Sequence, residues 1–285
     1  MTTLQKIIKY GAIAFAIYLS VMIIGLIVFG ITAIFGITTG IEALEESVSN
    51  SKNNEQSQIE HSIQEYSNIK KLEIDLDICN LQIKTGDTFK IETSNVSDKF
   101  ECKVDGNNLK IKDNKLNLDF FNNLGVKPQV IIYMPKDFKL DEADIDLGIN
   151  ETQIEYLNAK KVDIEMGVGK IIIDNIIAEE SEINGGAGEA IIKDSAIKKL
   201  DLSGGVGKLE MTSDVTEKAE VSSGVGKLEL SLKGGKENYQ IRAKKGLGSF
   251  EVDGKTVSSN QTLGAGARRI NVEAGVGKTV INFVG

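Results

Sequence analysis

The feature that most limits what this chain can fold into is a glycine tetrad that returns at a constant interval. Gly148, Gly167, Gly186, Gly205 and Gly224 each open a G-x-[GN]-x tetrad, and the four intervals between them are all 19 residues. The tetrads read GINE, GVGK, GAGE, GVGK and GVGK; two further copies, GLGS from Gly246 and GVGK from Gly275, follow after intervals of 22 and 29. The segment DICN at Asp77 sits in the same flanking pattern without the glycines. A fixed period near 20 residues marks stacked repeats, in which each unit buries its apolar side only against its neighbours.

Aligning the copies on the first glycine shows which side chains repeat. Three positions before it stand Ile74, Ile145, Ile164, Ile183, Leu202, Val221, Ala243 and Val272, and six after it stand Ile83, Ile154, Ile173, Ile192, Met211, Leu230, Val252 and Ile281. One position after it stand Ile78, Ile149, Val168, Ala187, Val206, Val225, Leu247 and Val276. All three columns are aliphatic and are expected to face inward. The apolar alternation changes parity inside the tetrad, which in a strand requires a turn or bulge, because successive side chains point to opposite faces.

The paired glycines Gly167 and Gly169, Gly186 and Gly188, Gly205 and Gly207, Gly224 and Gly226, and Gly275 and Gly277 are therefore expected to be bend positions. Without a Cβ they let coils stack closely. Each unit then makes one coil of two short strands, a glycine corner and a more variable return. The fold class predicted is all-β, a single-chain parallel β-solenoid (β-helix) with 19-residue coils stacked about 4.8 Å apart.

The chain has a second, different part. Tyr10 to Ile41 are 32 positions without a charge, longer than the roughly 20 apolar residues that cross a bilayer and than the core of a secretory signal. This run predicts one N-terminal transmembrane helix. A cleaved signal peptide is the rival reading, but no small-x-small site closes the run cleanly. Lys6 and Lys9 precede the run and Glu42, Glu45 and Glu46 follow it, so the N-terminus is expected in the cytoplasm and the remainder outside the plasma membrane.

The organisation expected is a cytoplasmic segment 1–9, an anchor 10–41, a polar stalk 42–68, an opening strand segment 69–139 and solenoid repeats 140–285. SNSKNNEQSQ within the stalk has too little apolar surface to pack, and the only histidine, His61, lies there and is expected to be solvated.

The formal net charge of −8 is spread without a basic block, which argues against nucleic acid as a partner. Cationic partners stay open. The two cysteines, Cys79 and Cys102, lie in no CxxC or Cys/His cluster; whether they pair is left open. The stretch NVEAGVGKTVINF ends like a phosphate loop, but Val272 stands where the motif needs its first glycine, and no helix pattern follows Thr279. Calcium at the turns is disfavoured by Lys170, Lys208, Lys227 and Lys278 just after the glycines. With no G-x-S-x-G, no usable histidine and no metal cluster, neither a cofactor nor an enzyme is expected.

One column carries charge of a single sign. Four positions before Asp77 and before the first glycine of each evenly spaced tetrad stand Glu73, Asp144, Asp163, Glu182, Asp201 and Glu220. In register these carboxylates would lie about 5 Å apart, each pair costing roughly 1 kcal/mol in water. Two readings stand: nearby lysines such as Lys161, Lys199 and Lys218 offset the repulsion, or the column faces a cationic peptide, envelope polymer or divalent ions.

An N-terminal membrane segment, the strand pair VIIYMPKDFKLDEADIDLG and the repeated GVGKLEL and GVGKIII units together resemble the bacterial putative-adhesin family of strand-repeat proteins of unknown function, over roughly residues 69–285. The resemblance implies an envelope-exposed β-solenoid, often associated with envelope stress systems, with no catalytic residues to carry over. The expected role is a membrane-anchored, non-enzymatic binding or scaffold module; the alternatives are a carbohydrate-active enzyme on a β-helix and a purely structural spacer. The C-terminal TVINFVG has no obvious cap, so end-to-end self-association is a further expectation.

Overall fold

Alternating aliphatic and polar residues extend the chain wherever the repeat runs, and the tetrads bend it. In the computed structural model, residues 62–96, 99–113, 128–258 and 260–285 are described, and all belong to one compact unit, Ile59–Gly285. The expected anchor, His61 and all but the end of the stalk lie outside the described residues. No helix among the described residues is long and apolar enough to cross a membrane.

The repeats form strands β8 (Leu140–Ile154), β9 (Leu157–Ile173), β10 (Ile176–Asn184), β11 (Ala187–Ser203), β12 (Val206–Ser222) and β13 (Val225–Lys233). All pair in parallel, one coil on the next, with glycine opposite glycine: Gly169 faces Gly188, Gly188 faces Gly207 and Gly207 faces Gly226. Within β8, Ala143, Ile145 and Leu147 point inward before the corner, and Thr152 and Ile154 after it. Two successive outward residues at Lys160 and Lys161, and a break at Glu155 and Tyr156, supply the other bends of the coil.

Two of the three expected inward columns are buried, and the third is not. The residue between the glycines lies on the convex side of the corner: Ile149 is 38 % exposed, Val206 44 %, Val225 51 %, Val276 48 % and Leu247 78 %. The interior of the corner is filled by the residue before the tetrad, as with Leu147, Ser223 and Ala274. The bend consumes the tetrad, so its middle residue is carried to the vertex although its apolar character suggests core.

The ends of the stack depart from chain order. β2 (Lys71–Ile78) and β3 (Asn80–Thr85) form a coil against β8, so the stack begins before residue 140. Outside that coil lie β6 (Asn108–Asp113) on β2 and β7 (Gln129–Met134) on β3, both parallel. Antiparallel strands close this end: β5 (Phe100–Asp105) on β6, β4 (Lys90–Ser94) on β7 and β1 (Ser62–Glu65) on β4.

The other end mirrors it. β14 (Tyr239–Lys244) and β15 (Leu247–Val252) form the outermost coil, edged by β17 (Gln261–Leu263) and β16 (Lys255–Thr256). The final segments, β18 (Arg268–Glu273) and β19 (Val276–Val284), return between that coil and β12 and β13. This accounts for the intervals of 22 and 29 residues. TVINFVG is therefore not the end of the stack: Thr279 to Ile281 are paired on both sides, with β13 and β15, and Asn282 to Val284 with β13 alone.

A clasp locks the returning coil. Arg268 donates to Asp214 at 2.7 Å and to the Tyr239 hydroxyl at 3.0 Å, and that hydroxyl donates to the Lys233 carbonyl at 2.6 Å. Cys79 and Cys102 are free thiols. Burial pushes Cys79 up to about 12, and the Cys102 Sγ lies 2.9 Å from the Tyr66 hydroxyl.

Two outcomes follow for stability. At Gly207, with φ +131°, an added methyl would overlap the Gly188 carbonyl oxygen, whereas at Gly106, with φ +62°, it would meet nothing within 4 Å. In urea unfolding, Gly207→Ala is expected to cost about 3 kcal/mol or more and Gly106→Ala about 1 kcal/mol. Arg268→Ala is expected to cost about 1 kcal/mol by the same measurement, because it removes two hydrogen bonds while Asp214 can turn to water and the Tyr239 hydroxyl keeps the Lys233 carbonyl.

Candidate functional site

The acidic column is in register through the stack. Glu73 pairs with Asp144, Asp144 with Asp163, Asp163 with Glu182, Glu182 with Asp201 and Asp201 with Glu220. All six side chains point away from the core, since the residues on either side of each in its strand, such as Val162 and Ile164 around Asp163, are buried. Strand spacing therefore sets the rungs about 4.8 Å apart.

Beyond the ends the column changes character; Arg242 and Asn271 stand four positions before Gly246 and Gly275, but their order in the stack was not legible in the tetrads. Past Glu73 the next rung is Lys110, and past Glu220 come Asn271 and then Arg242. The first end is neutralised: Lys112 and Lys110 approach Glu73 at 2.7 and 3.3 Å, and Lys112 also reaches Asp75 at 3.8 Å. At the other end Asn271 donates to Glu220 at 2.9 Å and stands between it and the arginine.

Of the lysines expected to offset the ladder, Lys199 is engaged elsewhere, and Lys218 makes no ion pair among the described residues although its charge acts on Asp201. Two positions earlier on the same face runs a column of mixed sign, with Lys71 on Glu142 at 2.7 Å and Lys199 on Glu180 at 2.7 Å. Only Lys161 leans toward a middle rung, 3.8 Å from Asp163 and 4.0 Å from Glu142. Among the described residues, Asp144, Glu182 and Asp201 have no ion-pair partner.

The titration behaviour agrees. Desolvation first, then like-charged neighbours, holds Asp144, Asp163 and Asp201 above the ordinary carboxylate range. Hydrogen bonds from Lys112, Lys71 and Lys199 hold Glu73, Glu142 and Glu180 below it.

The glycine corner carries no comparable site. Thr279 is buried with its hydroxyl 2.7 Å from that of Ser223, Lys278 is paired outward with Glu251 at 3.1 Å, and β19 follows, a strand where a phosphate loop needs a helix. The lysines after the glycines form an ion-pair network with the next columns, as Lys208 does with Glu189 and Glu210 at 3.1 Å each. No three metal-ligating side chains converge among the described residues. Outside this network stands the exposed aliphatic row at the vertex, which the sequence pattern placed inside.

A pH experiment separates the two kinds of carboxylate. Groups raised in the folded state bind protons more tightly there than in the unfolded chain, so their contribution to stability falls as pH rises through the raised values. Groups lowered in the folded state contribute above the ordinary range and lose that contribution as pH falls. Asp201→Asn is therefore expected to stabilise the protein near neutral pH by roughly a few tenths of a kcal/mol after screening, seen as a raised Tm, with the gain gone at about pH 3. Glu142→Gln is expected to lower Tm near neutral pH and to converge with the parent in acid. Thermal scans of the three proteins across pH check both.

No protein of curated function matches the chain. Among solved structures, a putative adhesin from Bacteroides fragilis is 15% identical at a TM-score of 0.46, over 80% of this chain and 98% of that one. A putative lipid binding protein from Parabacteroides distasonis is 17% identical at 0.43, over 80% and 98%, and a putative cell adhesion protein from Clostridium sporogenes is 14% identical at 0.32, over 80% and 100%. All three fall below a TM-score of 0.5, so what those proteins bind does not transfer to this chain. The model of the Toastrack DUF4097 family matches residues 69–263, more than half of the sequence, and the chain belongs to that family.

Proposed function

We propose that this protein is a non-enzymatic binding module that presents its acidic ladder to a cationic ligand, a basic peptide or a cationic envelope polymer. The observation that carries the reading is the run of carboxylates from Asp144 to Asp201 whose electrostatic cost the molecule leaves largely uncompensated. An approaching polycation with charges every few ångströms would relieve several rungs at once and release their screening ions. The uncharged run 10–41 supports a single-pass anchor in the plasma membrane with the solenoid outside, where adhesion or envelope stress sensing would use such a surface. Against a carbohydrate-cleaving enzyme stands the evenness of the ladder, because acid and base roles need two carboxyls in different environments. Against a plain spacer stands the single sign of the column.

Full-length protein titrated with fluorescent decalysine is expected to bind it, with affinity falling as salt rises. The triple variant Asp144→Asn, Glu182→Gln, Asp201→Asn is expected to lose at least tenfold. Unchanged affinity in the triple variant removes the proposal, and release of sugars from an envelope polysaccharide would favour the enzyme instead.

A further inference from the structure

A cavity of about 490 Å³ opens where the ladder runs into the capping coil. One wall carries Asp201 and Glu220; across Asn271 stands Arg242, and the rim is the edge strand β17 with Gln261 and Thr262. β17 is held antiparallel to β14, with Thr262 opposite Arg242 and Gln261 opposite Ala243.

The charges here do not cancel internally. Lys244 is spent on Glu273 at 2.6 Å. Arg242 makes no hydrogen bond or ion pair among the described residues, and neither does Asp201, which feels Lys218 only at longer range; Glu220 accepts the neutral amide of Asn271. At the opposite end of the same ladder the cations sit directly on the last carboxylate, so separated, unspent charges of both signs occur at this end alone.

We propose that this cavity binds a short zwitterionic peptide, its ammonium on Glu220 or Asp201 and its carboxylate on Arg242. Arg242 is two strands from Glu220 and three from Asp201, roughly 10 and 14 Å at the strand spacing. Subtracting two charge-assisted hydrogen bonds of about 2.8 Å each leaves about 4–9 Å between the charges of the ligand, the span of a di- or tripeptide. The volume suits the same class, and cavities of this size hold small ligands. Gln261 accepts the Ser258 N–H at 3.2 Å, which orients its amide nitrogen as a donor for a peptide carbonyl. The arginine's planar fork matches a carboxylate in a way that an ammonium cannot.

Asp201 and Glu220 belong to the ladder as well, so the inference rests in part on that reading; Arg242 separates the two. The test is calorimetry on the full-length protein with triglycine, N-acetyltriglycine and triglycinamide. Triglycine is expected to bind, and capping either end to weaken it at least tenfold. Arg242→Gln is expected to weaken triglycine at least tenfold, to leave triglycinamide unchanged and to leave decalysine binding intact; Arg242→Lys is expected to restore part of the loss. Asp144→Asn with Asp163→Asn is expected to weaken decalysine while sparing triglycine. Arg242 is exposed and unpartnered, so its replacement leaves the fold standing, which an unchanged Tm verifies. Equal affinity for the capped peptides, an unchanged affinity in Arg242→Gln, or no triglycine binding up to ~10 mM overturns the proposal.

Discussion

Backbone stacked directly on backbone at the glycine corner is the contact on which the remaining geometry depends. Each tetrad's carbonyls occupy the space a side chain would need on the next coil: Gly205 sits on the Gly186 carbonyl and Gly224 on the Gly205 carbonyl. A coil cannot slip by one residue without driving a Cβ into that space and turning its buried aliphatics outward. The register is fixed coil after coil, and with it the vertical alignment of every other column. The acidic ladder is a consequence: a carboxylate at one place in the repeat must stack on the carboxylate of the next.

That rigidity also explains why the ladder's charge goes uncompensated. In an irregular fold a carboxylate can turn to the nearest lysine. Here, from Lys71 to Lys199, the lysines of the neighbouring column alternate with glutamates at the same strand spacing and are drawn along their own column, as Lys71 is by Glu142 and Lys199 by Glu180; Lys218 and Arg269 follow without a glutamate between them. Close ion pairs reach the acidic column chiefly at Glu73, where Lys110 and Lys112 lie beyond the repeats; along the repeats Lys161 approaches Asp163 at 3.8 Å.

Much of this was legible in the sequence because the repeat is local. The period, the buried columns through Ile145 and Ile154 and the alignment of Asp144 with Asp163 all follow from residues within one or two coils of each other. The vertex was misread because Val206 and Val225 are as apolar as any core residue, and only the path of the corner shows that they face solvent. The cavity was out of reach for another reason. Its two signs meet only because β18 returns between β12 and β14, and nothing in the local pattern RRINVEAGVGK says which coils it will join. The longer intervals recorded that something intervened without saying where the chain goes.

The placement of the first and last coils inside the stack changes how the molecule bears load. A solenoid whose chain ends are its outermost coils unravels one unit at a time under tension. Here a pull from the N-terminal side first meets β1, an edge strand on β4 alone, and only then β2, hydrogen-bonded to β6 on one side and β8 on the other; a pull at the far terminus meets β19, whose Val276 to Ile281 lie between β13 and β15. Once β1 and the last residues of β19 have peeled away, tension must break two seams at once and shift a capping coil before further length is released. The body of the stack between those strands would hold as one piece until it yields.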